Sequence, residues 1–302
     1  MDSDLKFQFF VIYIFPPIIL CFGMIGNMVG LVVVSQKKMK KIGPRLTYLF
    51  LFLTDTIFLP LIIINHLGYA YGLDLLVVNS ISCKINTYIN FFLGAVSPWL
   101  LVYISVEKFI SIQYPGKSFS FRSLKNQLIY FSILIVICCL YYTPIIFSYD
   151  ISTTYQNNTI VSKFCYFNSV QDQIIGTWLD LTFRCLAPFT LMLIFSILLI
   201  SAIFRARSRV LSTFTSAQNN RFEKEIRHAI TLIIMNITFI LFEMPLSVSL
   251  LQSFVSTNWS YINQFTFYLF YCSYSINFYV MFISNSLFRS EFLYFFINKK
   301  RN

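Results

Sequence analysis

Residues 7–36 read FQFFVIYIFPPIILCFGMIGNMVGLVVVSQ, 30 positions without a charged side chain, and the chain turns at once to KKMKKIGPR. The run exceeds the roughly 20 residues that a helix needs to cross about 30 Å of hydrocarbon. It also exceeds the roughly 7–15-residue apolar core of a signal peptide, so it is expected to remain in the membrane as an anchor. The same pattern recurs. No charge falls between Lys84 and Glu107, between Lys125 and Asp150, or between Arg184 and Arg205. Arg45 to Asp74 encloses only Asp55, and His228 to Arg289 encloses only Glu243. That last stretch is divided by the polar break SFVSTNWS at 253–260.

Seven apolar segments result, expected at about 8–36, 44–70, 80–113, 126–148, 174–205, 226–253 and 261–284. Backbone groups in lipid must be bonded internally, so the segments should be helices. A shorter helix is expected at about 286–297, with Phe288, Phe292, Phe295 and Phe296 beside Arg289, Glu291 and Lys299. That mixture suits a helix lying on the membrane surface. The expected fold class is therefore an all-α membrane protein, a seven-transmembrane helix bundle with a short amphipathic C-terminal helix. Residues 1–302 form one domain without internal repeats.

Composition excludes other classes. The chain is 57% hydrophobic and 12% charged, about half the charge of a soluble domain. The net charge of +11 does not indicate a nucleic-acid partner, because the basic residues lie between apolar runs. No HExxH, paired CxxC, P-loop or nucleophile motif occurs, and no enzyme is expected. A transporter or channel would show repeated halves and a path of intramembrane charges; neither is found.

The basic residues also orient the bundle. Lys37, Lys38, Lys40, Lys41 and Arg45 follow the first segment, and Lys108, Lys117, Arg122 and Lys125 flank the connection after the third. Arg205, Arg207, Arg209, Arg221, Lys224 and Arg227 surround the connection after the fifth, and Arg289, Lys299, Lys300 and Arg301 follow the seventh. These 19 of 23 lysines and arginines share one side. The positive-inside rule makes that side cytoplasmic and the N-terminus external. The sequons at Asn157 and Asn258 then fall outside, where glycosylation is possible; a third match, at Asn236, lies within a span.

Motif positions go further than helix count. Gly26-Asn27 lies in the first segment and Leu51-x-x-x-Asp55 in the second. Cys83 opens the third, and Glu107-Lys108-Phe109 closes it. Ile112-x-x-Pro115 follows; Pro188, Phe239, Pro245, Asn277 and Phe288-Arg289 continue the series. In this order and register the chain resembles the rhodopsin-like G-protein-coupled receptors along nearly its whole length. The phrases GPRLTYLFLFLTD, SPWLLVYISVEKFISIQYP and NSLFRSEF resemble divergent invertebrate receptors of the FMRFamide and neuropeptide type. The resemblance implies a plasma-membrane receptor for an extracellular peptide or small molecule, acting on a heterotrimeric G protein. A chemosensory receptor for small molecules is the alternative.

The resemblance also assigns residues. Cys83 and Cys165 would form a disulfide outside, or else remain free thiols. Asp55, with Ser97, Asn277, Ser273 and Asn27, would hold a sodium ion; the alternative is a protonated carboxyl in a hydrogen-bonded core. Sodium is the only metal implied, and no other cofactor is. Lys108, beside Glu107, would pair with Glu225 as a switch on the G-protein side, or as an ordinary solvated ion pair. Asn90, Arg184, Glu243 and Tyr271 would line the ligand pocket. Asn90 replaces the aspartate of amine receptors, and Tyr271 replaces the lysine to which retinal is linked in opsins. Glu243 stands where the family has tryptophan. It would either bridge to Arg184 or meet a cation such as that of an amidated Arg-Phe peptide. Lys108, Ser196, Phe278 and Met281 also depart from the family pattern, so the switch itself is altered.

Overall fold

A computed structural model of the chain describes residues 6–7, 9–36, 39, 45–71, 79–114, 123–156, 159–210, 216–253 and 261–296. Within them run seven helices long and apolar enough to cross a membrane. The chain is a multi-pass membrane protein of the expected class.

Helix α1 opens with a π-helical turn at Phe10–Ile14 and continues as Phe15–Ser35. Pro16 and Pro17 follow that turn. Neither has an amide proton to close a bond to the preceding turn, which accounts for the wider winding there. Helix α2 spans Arg45–Tyr71. Helix α3 spans Ser80–Gln113 and starts at a reciprocal capping box: the Asn79 side chain accepts from the Ser82 amide, and the Ser82 hydroxyl accepts from the Asn79 amide, both at 2.9 Å. Helix α4 spans Leu124–Ser148, capped by Ser123.

Strands β1 (Tyr149–Gln156) and β2 (Thr159–Phe167) then form an antiparallel hairpin, a feature that apolar periodicity does not reveal. Helix α5 runs through Val170–Asp180, a π-helical turn at Leu181–Leu186, and Ala187–Val210. Helix α6 spans Ser216–Ser253, α7 spans Tyr261–Ser284, and α8 spans Ser286–Phe296. Asn285 caps α8, its Oδ1 accepting from the Leu287 and Phe288 amides at 3.1 Å each.

Helix α3 occupies the middle of the bundle, packed against α2, α4, α5 and α6. Leu51, Phe52, Leu100, Ile104, Met192 and Met235 are fully buried around it. The outward faces carry Ile25, Leu140, Phe147, Leu241 and Ile283, all exposed. A surface this apolar suits contact with lipid. Phe288 of α8 is buried under Phe278, so the surface helix is anchored to α7 by aromatic packing.

Helix α1 meets α2 and α7 along a strip of small residues. A Cβ on Gly23 would lie 2.5 Å from Leu59 Cδ1 and 2.6 Å from Ser275 Oγ. The absence of a side chain is what lets three backbones converge there. Gly23→Val is therefore expected to destabilise the bundle by about 1–3 kcal/mol through overpacking. A melting temperature several degrees below that of the parent protein in detergent would bear this out; an unchanged one would refute it.

Candidate functional site

The polar residues of the bundle gather at three levels. The first is mid-bundle. Asp55 of α2 is fully buried, and Asn277 Nδ2 of α7 donates to its Oδ2 at 2.8 Å. The Ser97 hydroxyl of α3 also hydrogen-bonds this carboxylate. Asn27 and Ser273 use their donors on backbone oxygens, Asn27 on Tyr274 at 3.0 Å and Ser273 on Phe270 at 2.7 Å. Asp55 Oδ1 and Asn27 Oδ1 are buried without a hydrogen-bond partner among the described residues. The level thus combines a carboxylate, two unpartnered oxygens and two hydroxyls.

The second level is the end of the bundle that carries the basic connections. Lys108 closes α3 and is fully buried. Its Nζ lies 3.2 Å from Glu225 Oε2 on α6 and 3.6 Å from Glu107 Oε2. Lys108 is shielded from solvent, while the Glu225 side chain is partly exposed. Two contacts that sequence reasoning missed reinforce this end. Asn236 Nδ2 of α6 donates to Ser105 Oγ of α3 and Ser196 Oγ of α5, each at 3.0 Å. Asn285 Nδ2 lies 2.7 Å from His228 Nδ1 of α6, so the residue that caps α8 also contacts α6. An asparagine inside an apolar run was the available signal for the first.

The third level lies toward the β-hairpin. Cys83 of α3 and Cys165 of β2 form a disulfide with Cα atoms 5.5 Å apart. The hairpin is thereby fixed to the top of α3. Lys84 Nζ adds a contact of 3.5 Å to Asp150 Oδ2. A hydrogen bond from Ser80, another from the Ile151 amide and the nearby Lys84 ammonium hold the Asp150 carboxyl below the usual carboxylate range. Beneath the hairpin, Tyr271 Oη lies 2.7 Å from His66 Nε2. Asn90 Nδ2 reaches Asn86 Oδ1 at 3.4 Å.

One expectation is corrected here. Arg184 does not pair with Glu243; its Nη2 bonds Asp180 Oδ2, one turn earlier on α5. The i,i+4 spacing places both side chains on one helix face, which makes this the nearest buried carboxylate. Asp180 had no motif to mark it and was not singled out. Tyr142 of α4 donates to its other oxygen at 3.4 Å. Arg184 also lies 4.1 Å over the Phe270 ring, a cation–π contact with α7. Glu243 Oε2 instead accepts from Cys185 Sγ at 3.2 Å, and its Oε1 has no hydrogen-bond partner among the described residues. Asn157 and Asn258, the expected glycosylation sites, lie outside the described residues.

The profile of the 7 transmembrane receptor (rhodopsin family) matches residues 26–286. The chain belongs to this family of signalling receptors, whose members generally are not enzymes. A comparison with curated proteins gives no match.

The two ion pairs at the hairpin level should differ sharply in weight. Arg184→Gln leaves Asp180 buried and unpaired, a loss of about 3–5 kcal/mol, whereas Lys84→Gln removes a surface pair of little weight. Surface expression is expected to collapse in the first and to persist in the second. Equal expression of the two variants would contradict the assignment.

Proposed function

We propose that the chain is a plasma-membrane G-protein-coupled receptor that transmits the binding of a short extracellular peptide to a heterotrimeric G protein. The observation that carries this reading is the contact of the buried Lys108 of α3 with the partly exposed Glu225 of α6. Both residues lie at the end where the basic connections cluster, the cytoplasmic side by the positive-inside rule. Swinging α6 outward would break the pair and open a cleft for a G-protein helix. The contacts from Asn236 to Ser105 and from His228 to Asn285 would be released in the same motion. In this orientation the N-terminus and hairpin are outside, α8 lies on the inner leaflet, and Asn157 and Asn258 are available for glycosylation.

The ligand side is supported by charge. Asp180 and Glu243 are buried near Arg184, the one buried arginine among the described residues of this level. One further positive charge would balance the cluster, and a basic peptide such as one ending in Arg-Phe-amide offers it. Asn90 and Tyr271 complete the pocket wall in this reading. Below it, Asp55, Ser97, Asn27, Ser273 and Asn277 offer oxygens to a sodium ion. The unpartnered Asp55 Oδ1 and Asn27 Oδ1 fit such a hard cation. Bound there, sodium would neutralise Asp55 and favour the closed bundle.

The test is a neuropeptide-library screen on cells that express a promiscuous G protein, with calcium as the readout. A calcium response to a basic peptide is expected. Glu225→Gln should raise ligand-independent output about 5-fold or more, the range of an ordinary allosteric coupling. Silence to all peptides, with Glu225→Gln no different from untransfected cells, would overturn the reading. A response confined to small molecules would favour a chemosensory receptor.

A further inference from the structure

We infer that Arg184 is an internal cation shared by two carboxylates: it rests on Asp180 and crosses to Glu243 when a ligand cation occupies Asp180. This rests on the receptor reading for its ligand, but its structural half does not.

The cluster holds one guanidinium and two carboxylates, and all three side chains are buried. Their hydrogen bonding is unequal. Asp180 is satisfied on both oxygens, by Arg184 and by Tyr142. Glu243 has only the thiol of Cys185, a weak donor, and its Oε1 is unpartnered. Arg184 has an unpartnered Nε. A donor and an acceptor, each buried and incompletely used, therefore lie close enough to interact electrostatically.

The backbone supplies a route between the two partners. Arg184 lies within the π-helical turn Leu181–Leu186. A π turn accommodates one extra residue, and relaxing it to α-helix rotates its side chains by roughly 100°, the step per residue. Phe270 can continue to face the guanidinium, since it belongs to α7 and not to either carboxylate's helix.

Direction follows from what each move exposes. The resting pair is the one present without a ligand, Arg184–Asp180, in which Tyr142 completes the Asp180 carboxylate and Glu243 keeps only the Cys185 thiol. Asp180 is one turn nearer the hairpin than Arg184, so an incoming cation meets it first. Once Asp180 is occupied, Arg184 gains by moving to Glu243. An intrahelical pair on α5 thereby becomes a bridge from α5 to α6. The ligand's charge would reach α6 as an ion-pair exchange, at the position where the family has a tryptophan.

A thermal-melt cycle on the purified receptor without ligand tests the exchange. Asp180→Asn should force the transfer. Glu243→Gln is expected to shift the melting temperature little in the parent. In the Asp180→Asn background it should lower it by several degrees more, because Glu243 is then Arg184's counter-ion. Additive shifts overturn the proposal. So does loss of folded Asp180→Asn alongside a folded Asp180→Asn/Arg184→Gln double variant, which would mean that Glu243 does not hold Arg184. If both are lost, Asp180→Ser replaces Asp180→Asn in the same cycle. Arginine amide, used as a probe cation, should raise the melting temperature of the parent but not of Asp180→Asn; equal stabilisation overturns the ligand half. None of these readouts requires a G protein. Ligand-independent signalling by Asp180→Asn, abolished by adding Glu243→Gln, is the arm that fails if the chain is not a receptor.

Discussion

A charge between membrane-spanning helices has no bulk water to solvate it, so each one must find its partners within the bundle. That constraint organises this protein. Asp55 draws Ser97 of α3 and Asn277 of α7 to α2. Lys108 draws Glu225 of α6 to the end of α3. Asp180 and Arg184 satisfy each other on α5 and bring in Tyr142 of α4 and the Phe270 face of α7. Apolar packing alone would not choose among such arrangements, because lipid tails are about as apolar as the helix surfaces.

Each of the three polar levels pairs close contacts with buried oxygens that have no hydrogen-bond partner among the described residues. At the basic end, the partners of Lys108, Asn236 and Asn285 are within 3.0–3.2 Å or closer. Among the described residues, oxygens of Asp55 and Asn27 at mid-bundle, of Glu243 beneath the hairpin and of Asn236 at the basic end remain without hydrogen-bond partners. The disulfide and the Lys84–Asp150 contact fix the hairpin to α3, so the approach to the upper level is defined by covalent and ionic ties. Departures from the family pattern fall along this same axis. Glu243 replaces an aromatic ring with a charge, and Ser196 replaces a tyrosine with a short hydroxyl that Asn236 reaches directly.

Much of this was legible in the chain itself. A run such as residues 7–36 has a single stable solution in a bilayer, a helix with its backbone bonds internal. Charge placement therefore dictated seven helices before any contact was known. The disulfide was also accessible, because Cys83 and Cys165 bracket the same end of the bundle. Asp55, Lys108 and Asn277 could be named through the resemblance to rhodopsin-like receptors.

The pairings could not be read in this way. Arg184 had two carboxylates in reach, one on its own helix face and one on α6, and nothing in the linear order ranks them. The choice of Asp180 depends on the π turn that carries Arg184, and on the Tyr142 hydroxyl and the Phe270 ring, which come from two other places in the chain. The hairpin, the His228–Asn285 contact and the three-helix junction at Asn236 are likewise products of assembly. The sequence by itself determined how many helices cross and which residues carry charge within them, because lipid acts on each segment separately. Only the tertiary structure decided which charge meets which, because that depends on rotation and depth of helices far apart in the chain.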